Sequence, residues 1–151
     1  MSVVLQLSPA ELMIAANVGV ARRVASLKRK LPVTASWTHL WQSDITGAIA
    51  EYAFCKHMGL FWDTSINVGN VEDAYGYHIR STNHEEGHLL IKPSDPDGRY
   101  ALVTVDGITC TIRGYIHSSD AKHDKYFVPQ RGIKQASYWV PQSDLKSMEI
   151  I

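Results

Sequence analysis

The chain has 151 residues, 45% of them hydrophobic, which suits one globular domain with a sizeable core. Fifteen basic residues balance fifteen acidic ones, so no global field draws it to nucleic acid or a membrane surface, and a DNA partner would have to meet a local patch. No run approaches the roughly 20 apolar residues of a membrane span, and the opening stretch to Leu7 is too short for a secretory apolar segment. Cys55 and Cys110 lack a CxxC spacing, so the expected setting is reducing and cytoplasmic, with both thiols buried rather than bridged.

In chain order, Ser8, Pro9 and Glu11 form a helix start: a capping serine, a proline at the first helical position, and a glutamate placed to reach back to the cap. The helix is predicted over residues 8–31, with Pro32 as its stop. Leu12, Ala16, Val20, Val24 and Leu27 recur at helical spacing as its apolar stripe. Arg22, Arg23, Lys28, Arg29 and Lys30 fall on or beyond the polar side. Five cations near a helix C-terminus complement its dipole as a solvated face. As the densest basic cluster in the chain, they are also the first candidates for phosphate contact.

A second helix is predicted from Ser43 or Asp44 to about Met58, closed by Gly59. Ile45, Ala48, Ile49, Tyr52, Ala53 and Cys55 supply its apolar stripe. Asp44 reads as a cap. Glu51 lies against the stripe, either at its border or aimed at a site.

After residue 60 the texture becomes short strands and turns. Strands are expected at Ser65–Val68, Tyr77–Thr82, His88–Lys92, Tyr100–Val105, Ile108–Ile116 and Ser137–Val140, with a hairpin turn at Asp106-Gly107 and another turn over Ser94–Gly98. Residues 117–136 read as a long polar loop with room for a short helix. Helices first and strands after predict an α+β domain with a mostly antiparallel or mixed sheet.

The most site-like stretch is Val71–Thr82. A tight turn at Tyr75-Gly76 would fold Asp73 back toward the following strand. There Tyr77, Ile79 and Ser81 point to one face, and His78, Arg80 and Thr82 to the other.

Taken with Glu51, these residues resemble small, phage-borne members of the PD-(D/E)XK, restriction-endonuclease-like superfamily. Gly47-Ala-Ile-Ala-Glu51-Tyr-Ala-Phe resembles that group's glutamate helix, and Asp73 with Tyr77-His-Ile-Arg80-Ser-Thr its aspartate and acid-x-lysine strand. Arg113-Gly-Tyr-Ile and Tyr138-Trp-Val-Pro-Gln-Ser-Asp-Leu are also similar, so the likeness spans about residues 43–145.

The resemblance implies a restriction-endonuclease-like core, DNA as partner, and hydrolysis of a phosphodiester with Mg2+ or Mn2+. Glu51, Asp73 and His78 would be the ligands, Arg80 the positive charge, and Lys92 a stand-in for the missing lysine. Such chemistry needs a hard cation held by oxygens and positive charge beside the phosphorane. Two positions depart from the pattern. His78 stands where an acid is expected, and imidazole suits zinc or manganese better than magnesium. Arg80 keeps the charge of lysine but cannot act as a base. Two readings therefore stay open: a metal-dependent deoxyribonuclease, or a catalytically inactive accessory protein that keeps the fold. In the second, Asp73 caps a turn and Glu51 pairs with a cation.

His84-Glu85-Glu86-Gly87-His88 matches the letters of a zinc-protease helix but not its context. A turn-like Ser81-Thr-Asn precedes it, Gly87 would sit inside the helix, and Leu89-Leu-Ile follows as strand; a turn is predicted, with no zinc shared by the two histidines. His117, Asp120, His123 and Asp124 are set aside as a polar loop. Neither cysteine has a base at a telling position, since His57 points away from Cys55 on a helix. The four tryptophans read as core and rim.

Overall fold

The computed structural model describes residues 2–29, 36–65, 73–74, 76–132 and 134–148. The elements are β1 (Val3–Gln6), α1 (Pro9–Lys28), α2 (Trp37–Met58), β2 (Tyr77–Thr82), β3 (Leu89–Ile91), β4 (Arg99–Asp106), β5 (Thr109–His117), α3 (Ser118–Ala121), β6 (Phe127–Val128) and β7 (Ser137–Val140). Single 3-10 turns occupy Asp124–Tyr126 and Gln142–Asp144. The class is α+β with a mixed sheet; a short strand, β1, precedes the two N-terminal helices. No described helix is long and apolar enough to cross a membrane.

Four strands form one sheet in the order β1-β5-β4-β2, and three form a second, β3-β7-β6. β4 and β5 are the hairpin expected at Asp106-Gly107, where Gly107 takes a φ of 59°. β2 runs parallel to β4, because the chain leaves the sheet after β2 and returns only by way of β3 in the second sheet.

The four-stranded sheet separates two apolar cores. Tyr77, Ile79, Ala101, Val103 and Ile112 pack with the buried residues of α2, including Phe54 and Ala50. Tyr100, Leu102 and Ile116 pack with Leu89, Ile91 and Val140 of the second sheet. The β4–β5 register slips between Leu102 and Val103, leaving Arg113 over. That bulge lets Ile112 face the helices while Ile116 faces the second sheet.

α1 starts as the sequence predicts. The Ser8 hydroxyl accepts from the Glu11 N–H at 3.2 Å, and the Glu11 carboxylate accepts from the Ser8 N–H at 2.8 Å. Its facing is only partly the expected one: Leu12 packs against the core, but the later part of the stripe turns outward. Val24 and Leu27 are 38% and 41% exposed, whereas Ala15 and Gly19 are buried. The cause is a close crossing with α2: a Cβ on Gly19 would stand 2.5 Å from the Ile45 Cα. Only the small face of α1 permits that approach, so Leu12 and Val18 pack at its flanks while Val24 and Leu27 stay outside.

α2 begins at Trp37, capped by the Ser36 hydroxyl accepting from the His39 N–H at 3.2 Å, and ends at Gly59 with φ 66°. Asp44 is therefore not a cap. It lies mid-helix, 3.1 Å from Arg23 Nε. β1 was not among the expected strands; it is an edge strand that pairs with β5, followed by the buried Leu7. The polar loop after β5 holds α3, a 3-10 turn and β6. Of the strand expected at Ser65–Val68, Ser65 is irregular and the rest lies outside the described residues, as do Lys30, Pro32, Val71, Glu72 and Tyr75.

Candidate functional site

The described part of the turn before β2 fits the expected one. Gly76 takes a φ of 78°, the Asp73 and Ala74 N–H groups donate to the Tyr77 carbonyl at 3.0 and 3.1 Å, and the Tyr77 N–H donates to Ala74 at 2.7 Å. The Arg99 guanidinium lies 4.2 Å from the centre of the Tyr77 ring and donates to the Gly76 carbonyl at 3.1 Å. Asp73 folds back over the turn, and its Oδ2 accepts from the Ile79 N–H at 2.7 Å.

On the helix side of the sheet, Glu51 projects from the buried face of α2 and meets Arg22 of α1. Arg22 Nη1 donates to Glu51 Oε2 at 2.6 Å, and its Nε donates to the Ser65 carbonyl at 3.1 Å. Trp62 Nε1 stands 3.5 Å from Glu51 Oε1. Burial is the largest influence on Glu51 and pushes its carboxyl above the usual range; Arg22 opposes this, and the negative charge of Asp73 adds to it. Burial likewise raises Asp73, against the Ile79 N–H, Arg80, His78 and Arg22. The two carboxylates thus share one electrostatic neighbourhood, with Arg22 as a common counter-charge.

His78 and Arg80 are delivered to the other side. The His78 ring stacks on Tyr100 with centroids 4.6 Å apart and planes at 17°. A Cβ at Gly98 would come within 3.2 Å of that ring, so it is held against backbone. Arg80 lies over the same tyrosine at 5.0 Å, donates to Asp95 Oδ2 at 2.8 Å and to the Leu90 carbonyl at 3.3 Å. Lys92 follows β3 in the second sheet rather than a neighbouring strand of the first; it is exposed, and its backbone N–H donates to the same Asp95 oxygen at 2.7 Å.

The expected constellation is therefore divided. Glu51 pairs with Arg22, while Asp73 feels the charges of Arg80, His78 and Arg22; the His78 ring and the Arg80 guanidinium themselves lie on Tyr100, and the Lys92 N–H reaches Asp95. This donor set does not fit Mg2+ or Mn2+. Glu51 already carries an arginine, one Asp73 oxygen is taken by a backbone N–H, and the imidazole is packed on the far face. Among the described residues no three His, Cys, Asp or Glu side chains are grouped as metal ligands.

The basic cluster is divided too. Arg22 and Arg23 turn inward to Glu51 and Asp44, Lys28 and Arg29 are exposed, and Lys30 lies outside the described residues. His84–His88 forms a turn leading into β3, as predicted from Gly87 and the apolar run behind it. His117 caps α3 by accepting from the Ser119 N–H at 3.2 Å. Asp120 and His123 line an open cavity of about 460 Å³ with Lys125, Tyr126, Asp144 and Lys146. Burial, with Glu51 and Asp73 nearby, pushes the Cys55 thiol up to about 11, and burial pushes Cys110 there too, so neither is a nucleophile. Both are buried and free, as the sequence suggested.

Arg22 was expected on a solvated or phosphate-facing patch, and it turns inward to Glu51 instead. A signal was present: Ala15, Gly19 and Arg22 follow at helical spacing, so the small residues that mark a close helix crossing also mark where the guanidinium points. No family model, curated protein or solved structure matches this chain.

Proposed function

We propose that the protein is a catalytically silent interaction protein on a nuclease-like α+β scaffold. The observation that supports this is the Arg22–Glu51 pair at 2.6 Å. The desolvated Glu51 carboxylate needs positive charge beside it, and Arg22 supplies it from the protein itself. The division of His78 and Arg80 from Glu51 argues the same way. With Arg22 and Arg23 engaged internally, the described part of the basic cluster leaves Lys28 and Arg29 exposed to phosphate. A second reading, a metal-dependent DNA phosphodiesterase, draws on one observation: the charge of Asp73 reaches Glu51 and raises it, an arrangement that active sites favour.

Plasmid DNA incubated with the protein and Mg2+ or Mn2+ separates the two. The silent protein leaves the plasmid intact with either metal, and Mn2+ leaves its Tm unchanged, since a bound cation would stabilise the folded chain. His78→Glu restores the acid that the resemblance implies and gains no activity, because position 78 faces the second sheet. Cleavage that a chelator stops, and that Glu51→Ala and Asp73→Ala each abolish, would establish the phosphodiesterase instead.

A further inference from the structure

The cavity beside Asp120 shares no residue with the Glu51 and Asp73 group, and two distant stretches of chain build it. One wall is Asp120 of α3, with Lys125 and Tyr126 of the 3-10 turn after it; the other is Asp144 and Lys146, beyond β7. Backbone bonds fix the second wall. The Lys146 N–H donates to the Tyr115 carbonyl at 2.8 Å, the Tyr115 N–H donates back at 2.9 Å, and the Asp144 N–H donates to Pro141 at 3.0 Å. That approach requires Gly114, where a Cβ would stand 2.5 Å from the Lys146 carbonyl. The apolar part of the lining comes from Ile116 and Tyr126, both buried.

The charges around the cavity stand as neighbours of opposite sign. The Tyr126 hydroxyl donates to Asp144 Oδ2 at 2.7 Å, which orients that carboxylate, and Lys125 Nζ lies 4.8 Å from the centre of the Tyr126 ring. Lys146 Nζ stands 3.9 Å from Asp120 Oδ2, near enough to attract it and too far for a hydrogen bond. Both side chains are more than half exposed, at 61% and 58%, so each keeps bonding capacity for a ligand.

We infer that this cavity binds a small zwitterion, an α-amino acid with an apolar side chain. A ligand of one sign would set its charge against two carboxylates or against two ammonium groups; a zwitterion answers both. An α-amino acid carries its two charges on one carbon, with about 2.5 Å from the nitrogen to the carboxyl carbon. Its ammonium can thus stand beside Asp120 and its carboxylate beside Lys146, completing the pair that those residues leave open. The side chain then meets Ile116 and Tyr126. A volume of about 460 Å³ gives room for this, within the roughly 300–1,000 Å³ of ligand pockets. Water reaches both charges, so the ligand is held weakly, with a Kd of roughly 1 mM. None of this depends on whether Glu51 and Asp73 form an active site.

L-Leucine added to the full chain, with amide resonances followed by NMR, tests the inference. The resonances of Asp120 and Lys146 should shift and saturate by about 10 mM leucine. Isocaproic acid lacks the ammonium and isoamylamine lacks the carboxylate, and each should bind at least about tenfold more weakly. Asp120→Asn and Lys146→Gln alter exposed side chains; each should keep the Tm and raise the leucine Kd about tenfold. No saturable shift with leucine overturns the inference, as does unchanged leucine binding in both variants. Binding of isocaproic acid or inorganic phosphate as tight as that of leucine would reveal a plain anion site, and overturns it equally.

Discussion

The two faces of β2 make opposite use of charge. Toward the helices, Glu51 pairs with Arg22 against α2, and Asp73 bends back onto the Ile79 N–H. Toward the second sheet, His78 and Arg80 lie on Tyr100, and Arg80 pairs one-to-one with Asp95 at the rim. The Arg22–Glu51 pair is the more buried, at 22% and 11% exposure against 34% and 17% for Arg80–Asp95. Adjacent residues of one strand therefore make different contacts, although the charges of Arg80 and His78 still reach Asp73. Alternation, not sequence proximity, decides which groups can act together.

The largest expected effect comes from breaking the helix-side pair. Arg22→Met leaves Glu51 without its counter-charge, and a loss of about 2–4 kcal/mol is expected, somewhat under the full buried-pair penalty because the arginine is partly exposed. Replacing both partners, Arg22→Met with Glu51→Leu, should recover much of that loss; thermal or urea unfolding of the three variants measures it. If the single and double changes cost the same, the carboxylate is not what Arg22 stabilises.

A smaller effect is expected on the other face. Arg80→Ala removes the Asp95 pair and the contact with Tyr100, and about 1–2 kcal/mol should be lost, since the side chain is a third exposed and water can replace it. Chemical unfolding of Arg80→Ala beside Arg22→Met compares the faces directly, and a larger loss for Arg80 would invert the ranking.

The smallest effect is on pH dependence. Burial raises the carboxyls of Glu51 and Asp73 above 4.5 and 3.8, the values that apply in the unfolded chain. The folded protein then holds these protons longer than the unfolded one, so their contribution to stability is full below about pH 4 and is lost as pH rises through the raised values. Glu11 has the opposite sign: Lys56, the Ser8 N–H and Tyr52 draw it down to about 2, so its contribution is present above 4.5 and fades as pH falls. In a Tm series upward from about pH 4, Glu51→Gln should flatten the decline. A decline unchanged by Glu51→Gln would place its origin away from the helix-side face.

Much of the fold was legible because it is written locally. The capping box of α1, the Asp106-Gly107 hairpin, the limits of β2 and β7 and the turn at His84–His88 follow from neighbouring residues. The facing of α1 was only partly legible. Leu12, Ala16, Val20, Val24 and Leu27 satisfy a helical period, but the period alone cannot say that the close crossing selects the Ala15 and Gly19 side. The start of α2 was missed because Ser36 and Ser43 are equally good caps, and only the tertiary fold chooses between them. The site was half legible. Strand alternation placed His78 and Arg80 together and put Asp73 near the turn, but what lies above each face depends on which sheet β3 joins.

The bond from Asp73 to the Ile79 N–H has a meaning beyond charge. β2 is an outer strand of its sheet, and an outer strand offers unpaired amides to any passing extended chain. By bending over its own strand, Asp73 occupies one of those amides and stops the ladder from growing sideways. The carboxylate that most resembles a metal ligand thus serves as a plug. It guards the protein against recruiting foreign strands, and that duty would hold its place in the chain even if no bond were ever cut there.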